Sequence, residues 1–73
     1  MKCYGKIVEY DEYVGTVLGI DGNNYMFVDN DLVDKDVKKG DFVSFDKDLY
    51  KDVELTRYMA RFVKRINEED IKN

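Results

Sequence analysis

The chain has no histidine, no tryptophan, no proline and a single cysteine among its 73 residues. Without a second cysteine, Cys3 forms no intramolecular disulfide. Without histidine it completes neither a zinc site nor a Cys/His nucleophile pair. It reads as a small apolar residue at the start of a strand. The missing histidine also removes the commonest general base. There is no Gly-rich phosphate loop, and no carboxylate pair stands apart with a reason for separated pKa values. The expectation is a protein that is not an enzyme and carries no cofactor or metal. A long apolar run is lacking too: the longest stretch without a charge, Tyr13 to Ile20, is far too short to cross a bilayer. No basic-apolar leader opens the sequence, so a cytoplasmic location is expected, with no membrane partner.

What is present suits one small folded unit. A composition 44% hydrophobic and 38% charged is that of a globular chain, not a disordered one, and its length allows a single domain over 1–73. At this size most large apolar side chains are needed inside, leaving few for function. The net charge of −4 argues against a nucleic-acid partner, whose affinity comes mainly from neutralised phosphates. The average hides an asymmetry: residues 1–55 hold 13 acidic and 7 basic side chains, and residues 56–73 hold 3 and 5. Arg57, Arg61, Lys64 and Arg65 fall in one window that contains no acid. The chain carries a basic stripe on an acidic body.

The pattern along the chain predicts strands over 4–10 ("YGKIVEY"), 13–20 ("YVGTVLGI") and 25–28 ("YMFV"), with "DGNN" as the turn of a hairpin. Residues 29–40 form a crossing loop in which Asn30 or Asp31 caps a helical turn around Leu32. "FVSF" alternates into a fourth strand, and "DKDLYKD" after it has no assignable conformation. The last segment reads two ways. Leu55, Tyr58, Met59, Phe62, Val63 and Ile66 recur at helical spacing with Arg57, Arg61 and Arg65 opposite, giving a four-stranded sheet plus a C-terminal amphipathic helix. "RFVKRI" is equally a fifth strand that closes a barrel. The tail, 66–73, is a frayed end or a helical turn.

Over residues 5–66 the chain resembles the cold-shock domain, a five-stranded barrel of the OB-fold type. Gly5, Ile7 and Tyr10 match its first strand, Gly15 its second, Phe27 its third, and Gly40, "FVSF", Ala60 and Val63 its last two. A weaker resemblance is to initiation factor 1 and the S1 domains, through the length and the "GD-V" fourth strand. Both imply an all-β, five-stranded OB-fold-like barrel with a fifth strand at 59–66, and that is the fold expected here. The resemblance is thinner at the binding positions. Val14 and Thr16 replace two phenylalanines, Asp29 a histidine and Glu9 a tryptophan.

The resemblance implies a platform for single-stranded nucleic acid. Phe27 lies at the centre of the outer sheet with Tyr10 and Tyr25 beside it, and Lys6, Arg61 and Arg65 contact phosphates. Strand parity puts Tyr25, Phe27 and Asp29 on one face and Met26 and Val28 on the other; the reading places Met26 and Val28 in the core and Phe27 outside. By the same count Tyr13 points inward. The bland reading of these rings is cross-strand pairing, and that of the arginines a solvated edge. Lys38 and Lys39 are surrounded by acids. Asp29, Asp31, Asp34 and Asp36 lack the alternation of a calcium loop and read as a solvated acidic loop. Two functions follow. The first is weak, low-specificity binding of single-stranded RNA or DNA, RNA before DNA. The second is an acidic interaction module, or a mimic of nucleic-acid charge, that binds a basic protein.

Overall fold

The computed structural model describes residues 2–51 and 54–71. Acidic side chains shape the first turns. The Asp11 carboxylate accepts the amides of Tyr13 at 3.1 Å and Val14 at 2.9 Å, reversing the chain between β1 (Lys2–Tyr10) and β2 (Val14–Gly19). Asp21 accepts the amide of Asn23 at 3.1 Å, and Gly22 takes the left-handed conformation (φ +88°) that joins β2 to β3 (Asn24–Val28). A 3₁₀ turn, Asp29–Asp31, follows, and the Asp31 carboxylate accepts the Val28 amide at 2.9 Å. The N-cap position is Val28, not Asn30 or Asp31; Asp31 closes the turn from its third position, and the turn lies before Leu32 instead of around it.

The remaining strands are β4 (Phe42–Lys51) and β5 (Thr56–Arg65). The sheet closes in the order β1-β2-β3-β5-β4, with β4 returning to β1; β3 and β5 run parallel, and the other neighbours are antiparallel. This is the expected all-β, five-stranded closed barrel, compatible with an OB-like scaffold. The helical alternative for the last segment fails because β3 and β4 would both be left with open edges, whereas β5 pairs along β4 from Val43↔Arg65 to Lys51↔Thr56. β5 begins earlier than the expected 59–66, and β4 runs on through most of the unassigned "DKDLYKD"; Asp52, the last residue of that string, and Val53 lie outside the described residues. One helical turn, Glu68–Ile71, ends the described chain, and residues 72 and 73 of the expected tail also lie outside it. No helix among the described residues is long and apolar enough to cross a membrane.

The core is filled from alternate positions: Ile7, Val17, Tyr25, Phe27, Val43, Phe45, Ala60 and Val63 point inward, with Leu32 and Val37 of the crossing loop closing over them. The parity of β3 is as expected, but its direction is the reverse. Tyr25 and Phe27 are in the core and Met26 is outside. Gly15 decides this. It faces Phe27 across the β2–β3 ladder, and a side chain there would collide with the Phe27 ring and lie 2.9 Å from the Glu9 carbonyl oxygen. The glycine therefore makes room for an inward ring. Tyr13, before β2, is exposed instead of inward.

Asp21 ties the β2–β3 turn to the far wall. Its carboxylate accepts the hydroxyl of buried Tyr25 and pairs with the Lys47 ammonium of β4 at 2.8 Å. The Lys47 bond, then the Tyr25 bond, hold Asp21 far below the usual carboxylate range, and burial raises the Tyr25 phenol.

Candidate nucleic-acid interface

The six residues singled out from the sequence do not form one surface. Phe27 is fully buried and its ring centroid lies 5.4 Å from that of Tyr10, so it offers no face to a base. Tyr25 is buried between the rings of Phe45 and Tyr58, at 4.9 Å and 5.7 Å between centroids. Tyr10 is half-buried against the core, and its hydroxyl donates to the Glu12 carbonyl oxygen at 3.2 Å. These three rings are structural. Lys6 is exposed on β1, with its ammonium 5.7 Å from the centroid of the Phe42 ring. Arg61 and Arg65 lie on β5; Phe42 of β4 stands between Lys6, its partner on β1, and Ile66, the neighbour of Arg65.

Both arginines already have partners. Arg61 Nη1 donates to Asp31 at 2.8 Å and its Nε to Asp48 at 3.2 Å; these two bonds, Asp31 first, raise its pKa further. Arg65 pairs with Asp36 at 3.0 Å, while its amide donates to Asp34 at 2.8 Å. The acids of the crossing loop thus anchor it to β5, a role their sequence spacing gave no sign of. The Asp31 arm is largely buried. Asp48 and Asp36 are more than half-exposed, and pairs of that kind contribute only about 0–1 kcal/mol, so a phosphate can replace either carboxylate.

The outward face of β1, β2 and β3 carries Lys2, Tyr4, Lys6, Glu9, Val14, Thr16, Leu18, Asn24 and Met26, with half-buried Tyr4 as its aromatic ring. Exposed Tyr13 borders this face, and the other exposed rings lie elsewhere. Arg57, Met59 and Arg61 alternate on the outer side of β5, and Tyr50 stands opposite Arg57 on β4. Tyr50, Leu55, Arg57, Met59 and Arg61 line a cleft of about 390 Å³. Arg61 also borders a second cleft of about 350 Å³, between Asn30–Val33 and Phe62. The two form one track along β5 with Arg61 at its middle. Arg57 and Lys64 have no ion-pair partner among the described residues.

Phe62 is the unusual member of the track. Ser44 pairs with Lys64 and Asp46 with Arg61, so Phe62 and Val63 together oppose Phe45 in a bulge. Phe62 takes φ +54°, a conformation that suits glycine, and its ring is 68% exposed. In the sequence it had been absorbed into the helical apolar stripe. The available signal was its place in "RFVKR", a ring within the acid-free basic window; the bulge that turns it outward leaves no mark in the sequence. Tyr50 was missed because its segment had no assigned conformation. No protein-family model and no curated protein matches the chain.

Proposed function

We propose that the protein is a non-enzymatic binder of single-stranded nucleic acid that uses the outer side of β5 instead of the β2–β3 face its cold-shock resemblance suggests. The supporting observation is Phe62. Holding a phenylalanine at positive φ costs about 1–2 kcal/mol that glycine would avoid. The extra residue of the bulge also reverses the direction in which strict alternation after Ala60 would point the ring. The ring then stands between Arg61 and Lys64, with Tyr50 and Arg57 at the other end of the track. Rings that stack bases, set among cations that follow phosphates, are what sequence-tolerant single-strand binding needs. Replacing the exposed Asp48 and Asp36 partners costs little, but the acidic body keeps the affinity low.

The test is a titration of ¹⁵N-labelled protein with short oligo-U and oligo-dT at low salt. Amide shifts should gather at Arg57, Arg61, Phe62 and Lys64 and spare Val14 and Leu18. Silence throughout β5, or shifts confined to β1 and β2, would remove this reading.

A further inference from the structure

A different surface remains unexplained by nucleic-acid binding. A solvent-facing sheet ordinarily alternates apolar-in with polar-out. Here Val14, Leu18 and Met26 point outward at 41%, 44% and 42% exposure, in a chain short of apolar residues for its core. The pairing places Glu9, Thr16 and Met26 in one row across β1, β2 and β3, with a carboxylate at one end and a thioether at the other. Exposed Glu12, Tyr13 and Asp29 border the same face beyond Val14, where the Asp29 amide donates to the Tyr13 carbonyl oxygen at 2.9 Å. Against these acids the face holds Lys2 and Lys6, which lie toward its other end, Lys6 opposite Leu18.

We infer that the outward face of β1, β2 and β3 docks a basic segment of another protein, its apolar residues on Met26, Leu18 and Val14 and its cations toward Glu9, Glu12 and Asp29. Charge decides the occupant. Glu9, Glu12 and Asp29, at the Val14 end of the face, repel a phosphate backbone and attract lysine or arginine. Methionine suits this face because its unbranched, polarisable chain adapts to varied apolar side chains. This surface meets the β5 track only where Met26 pairs with Met59, and Glu9, Val14 and Leu18 lie outside the track, so either site can fail without the other.

The probe is a nine-residue peptide of alternating Lys and Leu, titrated into protein labelled with ¹³C at the methionine methyls and ¹⁵N at the amides. The Met26 methyl and the Val14 and Leu18 amides should shift, with little response to the matching Glu/Leu peptide. Glu9→Gln should weaken the complex about two- to fivefold and Met26→Ser about tenfold. Both variants should keep a dispersed amide spectrum and an unchanged oligo-U titration. The inference is overturned by an unmoved Met26 at millimolar peptide, by an equal response to the acidic peptide, or by shifts at Phe62 in place of Met26. It is also overturned if sedimentation shows a mass that rises with protein concentration and falls in Glu9→Gln, because a second copy would then be the occupant.

Discussion

Two phenylalanines, Phe27 and Phe62, exchange the roles that their sequence neighbourhoods suggest. Alternation separates the two faces of a strand but does not say which is inner, and a choice of one over the other flips every side chain. Phe27 sits in the third strand where a stacking ring was expected, yet the absence of a side chain at Gly15 draws it inward. Phe62 sits among apolar residues at helical spacing, yet the bulge turns it out. The conflict between its backbone and its side chain gives a direct test. Phe62→Gly should leave thermal stability equal or higher, because strain of about 1–2 kcal/mol is released against a small loss of contact. The same change should weaken oligo-U binding by roughly tenfold, a stacking contribution in the range of about 1–3 kcal/mol. A melting curve and a fluorescence-anisotropy titration read the two effects separately. A large fall in melting temperature would mean that the ring serves the fold.

At the scale of elements, β1 to β3 were legible because β-branched and aromatic residues alternate between turns whose Asp, Gly and Asn residues have specific backbone uses. β5 was legible only through the need to close the barrel, since its apolar residues satisfy a helical period as well as a strand. The length of β4 was not legible: Asp46 to Lys51 is nearly all polar, and its strand character comes from pairing with β5. The acid-rich crossing loop looked solvated because its partners, Arg61 and Arg65, lie some thirty residues further on. Lys47 is a similar case, reaching back to Asp21 at the β2–β3 turn. This link makes stability depend on pH. Asp21 titrates below its unfolded value of about 4, so its contribution is complete above that pH and is lost as pH falls through the lowered folded value. Asp21→Asn should therefore lower the melting temperature at neutral pH, and the gap to the parent protein should narrow steadily below about pH 4. A constant gap down to about pH 2 would show that the carboxylate's charge is irrelevant to the tie.

For the whole molecule, the charge asymmetry of the sequence becomes a division of surfaces. The acid-free window is a single strand, and the acidic body supplies both its ion-pair partners and a separate apolar face edged with carboxylates. Binding along β5 should therefore be strongly salt-dependent. With Arg57, Arg61, Lys64 and Arg65 on phosphates, log K against log salt should fall with a slope of about −2 to −3. A slope near zero would place the affinity in stacking alone and remove the cations from the site.

Barrel closure depends on a parallel seam at which Met26↔Met59 is the ladder pair, with the bridge Leu32↔Val63 beyond it. The β1–β4 ladder closes a longer loop but does so with a run of residue pairs, whereas this seam has one ladder pair and one bridge, so it is the weakest of the barrel's closures. Amides on this side of β5 should be the earliest to exchange with solvent, ahead of those shared with β4. A strand of nucleic acid lying along β5 would grip the barrel's hasp: it binds the shut form better than the sprung one, and so slows the opening of the very closure that presents it.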